Sequence, residues 1–229
     1  MKFARAILPL TISLSLTACA SMFPTPLIKV PPEKAYTSLI KAQNPPQNKI
    51  QAGIAEKDVG KYMDDLQKDL AKMSLPYNLQ QSIKVEKQGD NSLHVRIVGV
   101  PVFTPSVNTV NAEAAPIFMQ IANVLQRYDK TAVHVIGFTD SSGSAWVNLR
   151  RSEKRAQNVA EILYNNGVDA SRIMVGGRGE NNAIADNNSD NGRSANRRVE
   201  LFIKPIIAGH EQDATASLNF PDNKVEEKK

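Results

Sequence analysis

Apolar positions along the chain follow two different periods. Between residues 57 and 74, Val59, Tyr62, Met63, Leu66, Leu70 and Met73 recur at steps of three and four with charges between them. That spacing predicts an amphipathic helix packed on a core. Ser82–Lys87 and Ser92–Val98 flank Gly89-Asp90-Asn91 and predict a β-hairpin. Val100–Phe103 is strand-like. Asn111 can cap a helix running to Tyr128, with Ile117, Phe118, Ile121 and Leu125 on its apolar face and Pro116 in its first turn. Ala132–Phe138 is a nearly continuous apolar run, as in a buried strand. A helix over Asn148–Tyr164 would bury Ala156, Val159, Ala160 and Leu163, with Gly167 placed to end it. Ile173–Val175 and Val199–Ile206 are the last strands. The order β-α-β-α-β-β is an α+β pattern, a layer of helices against one sheet. It divides the chain into a small helix-plus-hairpin region, 51–98, and a main domain, 99–208. Residues 209–229 are charged, lack apolar periodicity and read as a disordered tail.

The first residues carry a different signal. Met1–Arg5 is a short positive stretch, and Ala6–Ala20 is uncharged and rich in Leu and Ile. This is the layout of a secretory signal peptide. The run is too short to cross a hydrocarbon core of ~30 Å, and it is interrupted by Pro9. Leu16-Thr17-Ala18-Cys19 resembles a bacterial lipobox. The resemblance implies that residues 1–18 are removed and that Cys19 carries three acyl chains, enough for stable anchoring. Ala20 follows where inner-membrane lipoproteins often carry Asp, so the resemblance implies the outer membrane, with the protein on its periplasmic face. Residues 19–50 read as a tether. Pro24, Pro26, Pro31, Pro32, Pro45 and Pro46 favour extended chain, and at roughly 3.1 Å per residue it could reach about 90 Å.

Composition removes several classes. The chain has 229 residues, 41% of them hydrophobic and 22% charged, which is ordinary for one globular domain plus a tail. Cys19 is the only cysteine and has no disulfide partner. With three scattered histidines, His94, His134 and His210, it makes no zinc site. The net charge of +5 is dispersed and falls once Lys2 and Arg5 are removed, so no basic stripe points to nucleic acid. Gly176-Gly177-Arg178-Gly179 lacks the spacing of either common nucleotide-binding loop. No cofactor or metal is implied.

One ordered set of motifs is specific. It comprises VIGFTDSSGS (135–144), SEKRAQNVAEIL (152–163), GVDASRI (167–173), GRGE (177–180) and ADNNSDNGRSANRRVELFI (185–203), preceded by the divergent VFTPSVNTV (102–110). The set resembles the OmpA-like peptidoglycan-binding domain. With the lipobox and tether, the architecture is similar to that of peptidoglycan-associated lipoproteins. The resemblance implies an α+β fold with two helices packed on one mixed sheet. It also implies that the ligand is the peptide stem of peptidoglycan, chiefly diaminopimelate. That residue presents an ammonium and a carboxylate on one carbon, so a binder needs one anion and one cation held close together. The family's ligand-contacting Asp and Arg fall on Asp140 and Arg155, and the resemblance points also to Asn148 and Arg197. Arg155 suits a carboxylate because its planar fork can bond both oxygens. Read singly, Asp140 is a turn former, Arg155 a solvated helix residue, and Arg197 a structural arginine at a strand's start. Only the combined pattern reverses those readings. Thr104 and Val107 stand where the family usually has Asp and Ser, and Ala183 stands for a common proline. His134, in a buried strand pattern, reads as structural or outward-facing rather than catalytic.

The expected function is that of a non-catalytic lipoprotein joining the outer membrane to the cell wall. No metal-binding pair, cysteine nucleophile or Ser/His/Asp set supports a wall hydrolase. The alternative is a wall-gripping subunit of an envelope-spanning secretion or motility complex, with residues 51–98 meeting protein partners.

Overall fold

A computed structural model describes residues 52–220, apart from 99 and 105–107. Cys19, the signal segment, the tether, Val107 and residues 221–229 lie outside the described residues.

The chain enters at Gly53-Ile54. Ile54 makes a parallel bridge to Ile207: its N–H donates to Ile206 O, and its carbonyl accepts from Ala208 N–H. Helix α1 (Glu56–Ala71) follows, with Glu56 and Asp58 in its first turn, where the helix dipole favours anions. Val59, Met63, Leu66 and Leu70 are its buried stripe, as the three-and-four spacing required. Strands β1 (Ile83–Lys87) and β2 (Leu93–Ile97) form the hairpin, with Asn91 at φ 61° in its turn. Helix α2 (Ala115–Arg127) carries Pro116 in its first turn. Strand β3 (Thr131–Gly137) is buried throughout. Helix α3 (Ala145–Asn165) starts three residues before the sequence suggested, because Ser144 Oγ caps it by accepting from Val147 N–H. Strand β4 (Ile173–Gly177), helix α4 (Asp190–Asn196), strand β5 (Val199–Pro205) and helix α5 (Glu211–Thr215) complete the described fold.

One five-stranded sheet runs in the order β1-β2-β5-β3-β4. Only β3 and β4 are parallel, joined through α3; the other pairs are antiparallel. The fold is α+β with helices layered on one mixed sheet. Helices α1, α2 and α3 form that layer, and α3 crosses β3 at close range. A side chain on Gly137 would meet the Ser152 backbone oxygen at 2.0 Å, so only glycine fits there.

Three expectations change. Val100–Phe103 is not a strand of the sheet; Phe103 makes only an isolated bridge to Val110. Both edges of β5 are already taken, one by β3 and the other by β2, so the hairpin fills that place. The region 51–98 thus supplies two of the five strands, with Leu93 and Val95 fully buried. Residues 209–220 are ordered, not a disordered tail. Ala214 packs with Ala132, Ile206 and Met174, and Phe220 lies edge-on to Phe202, which stacks on His94. His134, on the same sheet face, hydrogen-bonds the Ala214 carbonyl through Nε2 at 2.7 Å. It is structural rather than outward-facing.

Candidate functional site

Because β3 and β5 are antiparallel, the end of β3 and the start of β5 meet at one edge of the sheet. Asp140 lies three residues past β3, and Arg197 two residues before β5. Arg197 Nη1 donates to Asp140 Oδ2 at 2.9 Å. Asp140 Oδ1 accepts from Ser142 N–H, and Ser141 N–H reaches Asn187 Oδ1. Gly143, at φ 98°, lets the loop turn back toward Asn148. Burial pushes the Asp140 carboxyl up, but hydrogen bonds from Arg197 and Ser142 outweigh it, and the net shift is downward.

Arg155 is only 4% exposed. Its Nη1 donates to the Phe138 carbonyl at 3.0 Å, and its guanidinium lies 5.2 Å above the Phe103 ring. Burial pushes it down to about 10, against the opposing attraction of Asp140. Asp140 and Arg155 therefore share one electrostatic neighbourhood, but the ion pair of Asp140 is with Arg197. The solvated-helix reading of Arg155 fails, since residues far off in sequence bury it.

Asn148 is 1% exposed, and its Nδ2 donates to Glu180 Oε2 at 2.5 Å. Among the described residues, Asn148 Oδ1, Arg155 Nε and Thr139 Oγ1 are buried without a hydrogen-bond partner. The four residues named from the sequence thus converge on one end of the sheet.

Sequence reasoning gave no binding role to Ser152, Glu180 or Asn196, although all three fall within the quoted motifs. Ser152 Oγ donates to Leu149 O and accepts from Gly179 N–H, setting the loop that carries Glu180. Asn196 accepts from the N–H groups of Ile184 and Ala185 and donates to Ala185 O, fixing the loop before α4. Its helical spacing from Asn148 and Arg155, four residues after one and three before the other, is the signal that could have found Ser152. Asn196 offers no such signal.

The OmpA family model matches residues 102–197. "Probable lipoprotein YiaD" of Escherichia coli is 41% identical over 124 residues, 54% of this chain and 56% of its own length. "Peptidoglycan-binding protein ArfA" of Mycobacterium tuberculosis is 37% identical over 87 residues, 38% of this chain and 27% of its own. The chain thus spans about half of the first relative and less of the second. The periplasmic domain of Helicobacter pylori MotB superposes with a TM-score of 0.50 at 21% identity, covering 58% of this chain and 86% of that one, and so shares the fold. Residues 102–197, the segment that matches the OmpA family model, contain Asp140, Asn148, Arg155 and Arg197 together.

Proposed function

We propose that the cluster around Asp140 and Arg155 binds the diaminopimelate residue of peptidoglycan stems, and that lipidation at Cys19 fastens the same chain to the outer membrane. The protein then acts as a passive link between membrane and wall. Asp140 accepts from the ligand's ammonium while Arg155, with Arg197 beside it, receives the carboxylate. Asn148 adds a neutral hydrogen bond. The observation that carries the reading is the set of buried, unsatisfied atoms at the site: Arg155 Nε, Asn148 Oδ1 and Thr139 Oγ1. Leaving a buried polar group unpaired costs about 1–3 kcal/mol, a cost a polar ligand would relieve. The name of the mycobacterial relative agrees with this ligand class.

The alternative, a subunit of an envelope-spanning machine, drew on residues 51–98 as a partner surface. The hairpin instead completes the sheet, and α1 buries its apolar stripe. That region therefore no longer favours the alternative.

The test is co-sedimentation of the full chain with purified sacculi, comparing wild type with Asp140→Ala. Loss of most binding by a folded Asp140→Ala supports the reading. Undiminished binding would sink it. Mass spectrometry of the mature N-terminus tests the anchor: an unmodified Cys19 or an intact Met1 rules it out.

A further inference from the structure

A groove of about 310 Å³ runs between the segment after β2 and the helix α4. Its walls include Val98, Pro101, Val102, Ile184 and Ala195, and Arg197 stands in it as well. Two features make it continuous with the Asp140 cluster. Arg197 belongs to both, lining the groove while bonding Asp140. The wall segment continues through Val102 directly into Phe103, which lies beneath Arg155. A ligand seated at Asp140 and Arg155 therefore has an apolar channel beside it.

The lining restricts what can enter. The volume is at the low end for small-ligand sites, which run from about 300 to 1,000 Å³. That suits a short peptide end better than a glycan strand. The walls are largely aliphatic, with Asn191 and Ser194 as polar lining groups able to meet peptide amides and with Arg198 beside Arg197 as a second arginine. Arg197 spends Nη1 on Asp140, and a guanidinium has five N–H donors, so others remain for a second carboxylate. Methyl side chains, amides and a terminal carboxylate together describe the alanyl end of an uncrosslinked stem.

We propose that this groove receives the D-alanyl residues that follow diaminopimelate, so that the protein favours stems retaining their free alanyl end over stems trimmed back to diaminopimelate. The inference rests on the stem-binding reading above and adds a specificity to it. Each buried methyl should contribute roughly fourfold in affinity, and two together roughly fifteenfold.

The experiment titrates the full chain with three synthetic stems: the tripeptide ending in diaminopimelate, the tetrapeptide and the pentapeptide. Wild type should bind the tetrapeptide roughly fourfold, and the pentapeptide roughly fifteenfold, more tightly than the tripeptide. Ala195→Trp, at an exposed position of α4, should fill the groove and erase that gain while leaving the tripeptide affinity unchanged. Ile184→Asp, at a residue 51% exposed, should erase it by a different route. Equal affinity of wild type for all three stems overturns the proposal, as does a gain that survives both substitutions. If no stem binds at all, the reading beneath it falls too.

Discussion

Arg197 Nη1 sits 2.9 Å from Asp140 Oδ2 across 57 residues of sequence, so the carboxylate assigned to a ligand's ammonium already carries a guanidinium. The two side chains are 25% and 12% exposed, too sheltered for the pair to be dismissed as a screened surface contact. The pair ties the loop after β3 to the approach of β5. It also holds the Asp140 carboxylate in one orientation before a ligand arrives. A double-mutant cycle on Asp140→Ala and Arg197→Ala, followed by urea unfolding, should give a coupling of about 1 kcal/mol. A coupling indistinguishable from zero would mean that the pair does not order the loop.

Arg155 should behave differently from a surface arginine. Its burial, its bond to the Phe138 carbonyl and its place over Phe103 make it part of the local packing. Arg155→Ala should lower stability by about 2–3 kcal/mol, because a charge-assisted bond and ring packing go together. Arg155→Lys keeps a cation but not the fork, and should lower stem affinity roughly tenfold or more while unfolding closer to wild type. Chemical denaturation run beside the titration separates the two effects. Wild-type stability in Arg155→Ala would mean that its contacts contribute nothing to the fold.

Ala132–Phe138 was legible in the sequence because both faces of β3 are buried, which forces an unbroken apolar run. The four candidate residues stood out in the sequence as an ordered pattern. Their environments did not. The burial of Arg155 depends on Phe103, which reaches it through an irregular segment and an isolated bridge, neither of which has a period. Helix α4 was missed because DNGRSAN has no apolar stripe; it is held by the Ser189 cap and by Asn196. The segment after β5 was misread because Ala214 and Phe220 are single anchors, spaced too far apart to register as amphipathic.

Those anchors carry a pH dependence. Burial holds His134 below its ordinary value of 6.5, opposed by the bond to Ala214 and assisted by the nearby Lys204 cation. A depressed group favours the folded state fully above its unfolded value, and the advantage is lost as pH falls through the folded value. Thermal stability should therefore be flat above about pH 6.5 and decline below it. His134→Gln, which can still donate to the Ala214 carbonyl but cannot titrate, should flatten that decline. Melting temperatures at pH 7.5, 6.5 and 5.5 for both proteins check this. Identical slopes would remove His134 as the cause.

The shortest folding unit should be set by strand pairing rather than by the span of the family match. Residues 99–208 contain the whole matched segment, 102–197, and all four site residues. Yet β5 would lose its antiparallel partner β2 along Leu93–Arg96, leaving four ladder positions open beside the core. Loss of Leu93 and Val95, both fully buried, would uncover further apolar surface on the helix side of the sheet. Removing side chains of this size from a core costs about 2–5 kcal/mol each, comparable with the whole stability of a small domain. Helix α1 would go as well, taking Met63, Leu66 and Leu70 from the layer beside α2. A strand edge left open beside an apolar face is moreover a template for aggregation. Residues 99–208 expressed alone should therefore be unfolded or aggregated, whereas residues 52–220 should give dispersed amide resonances and one cooperative unfolding transition. A monomeric, cooperatively folded 99–208 would show that α1 and the hairpin are dispensable additions to the sheet.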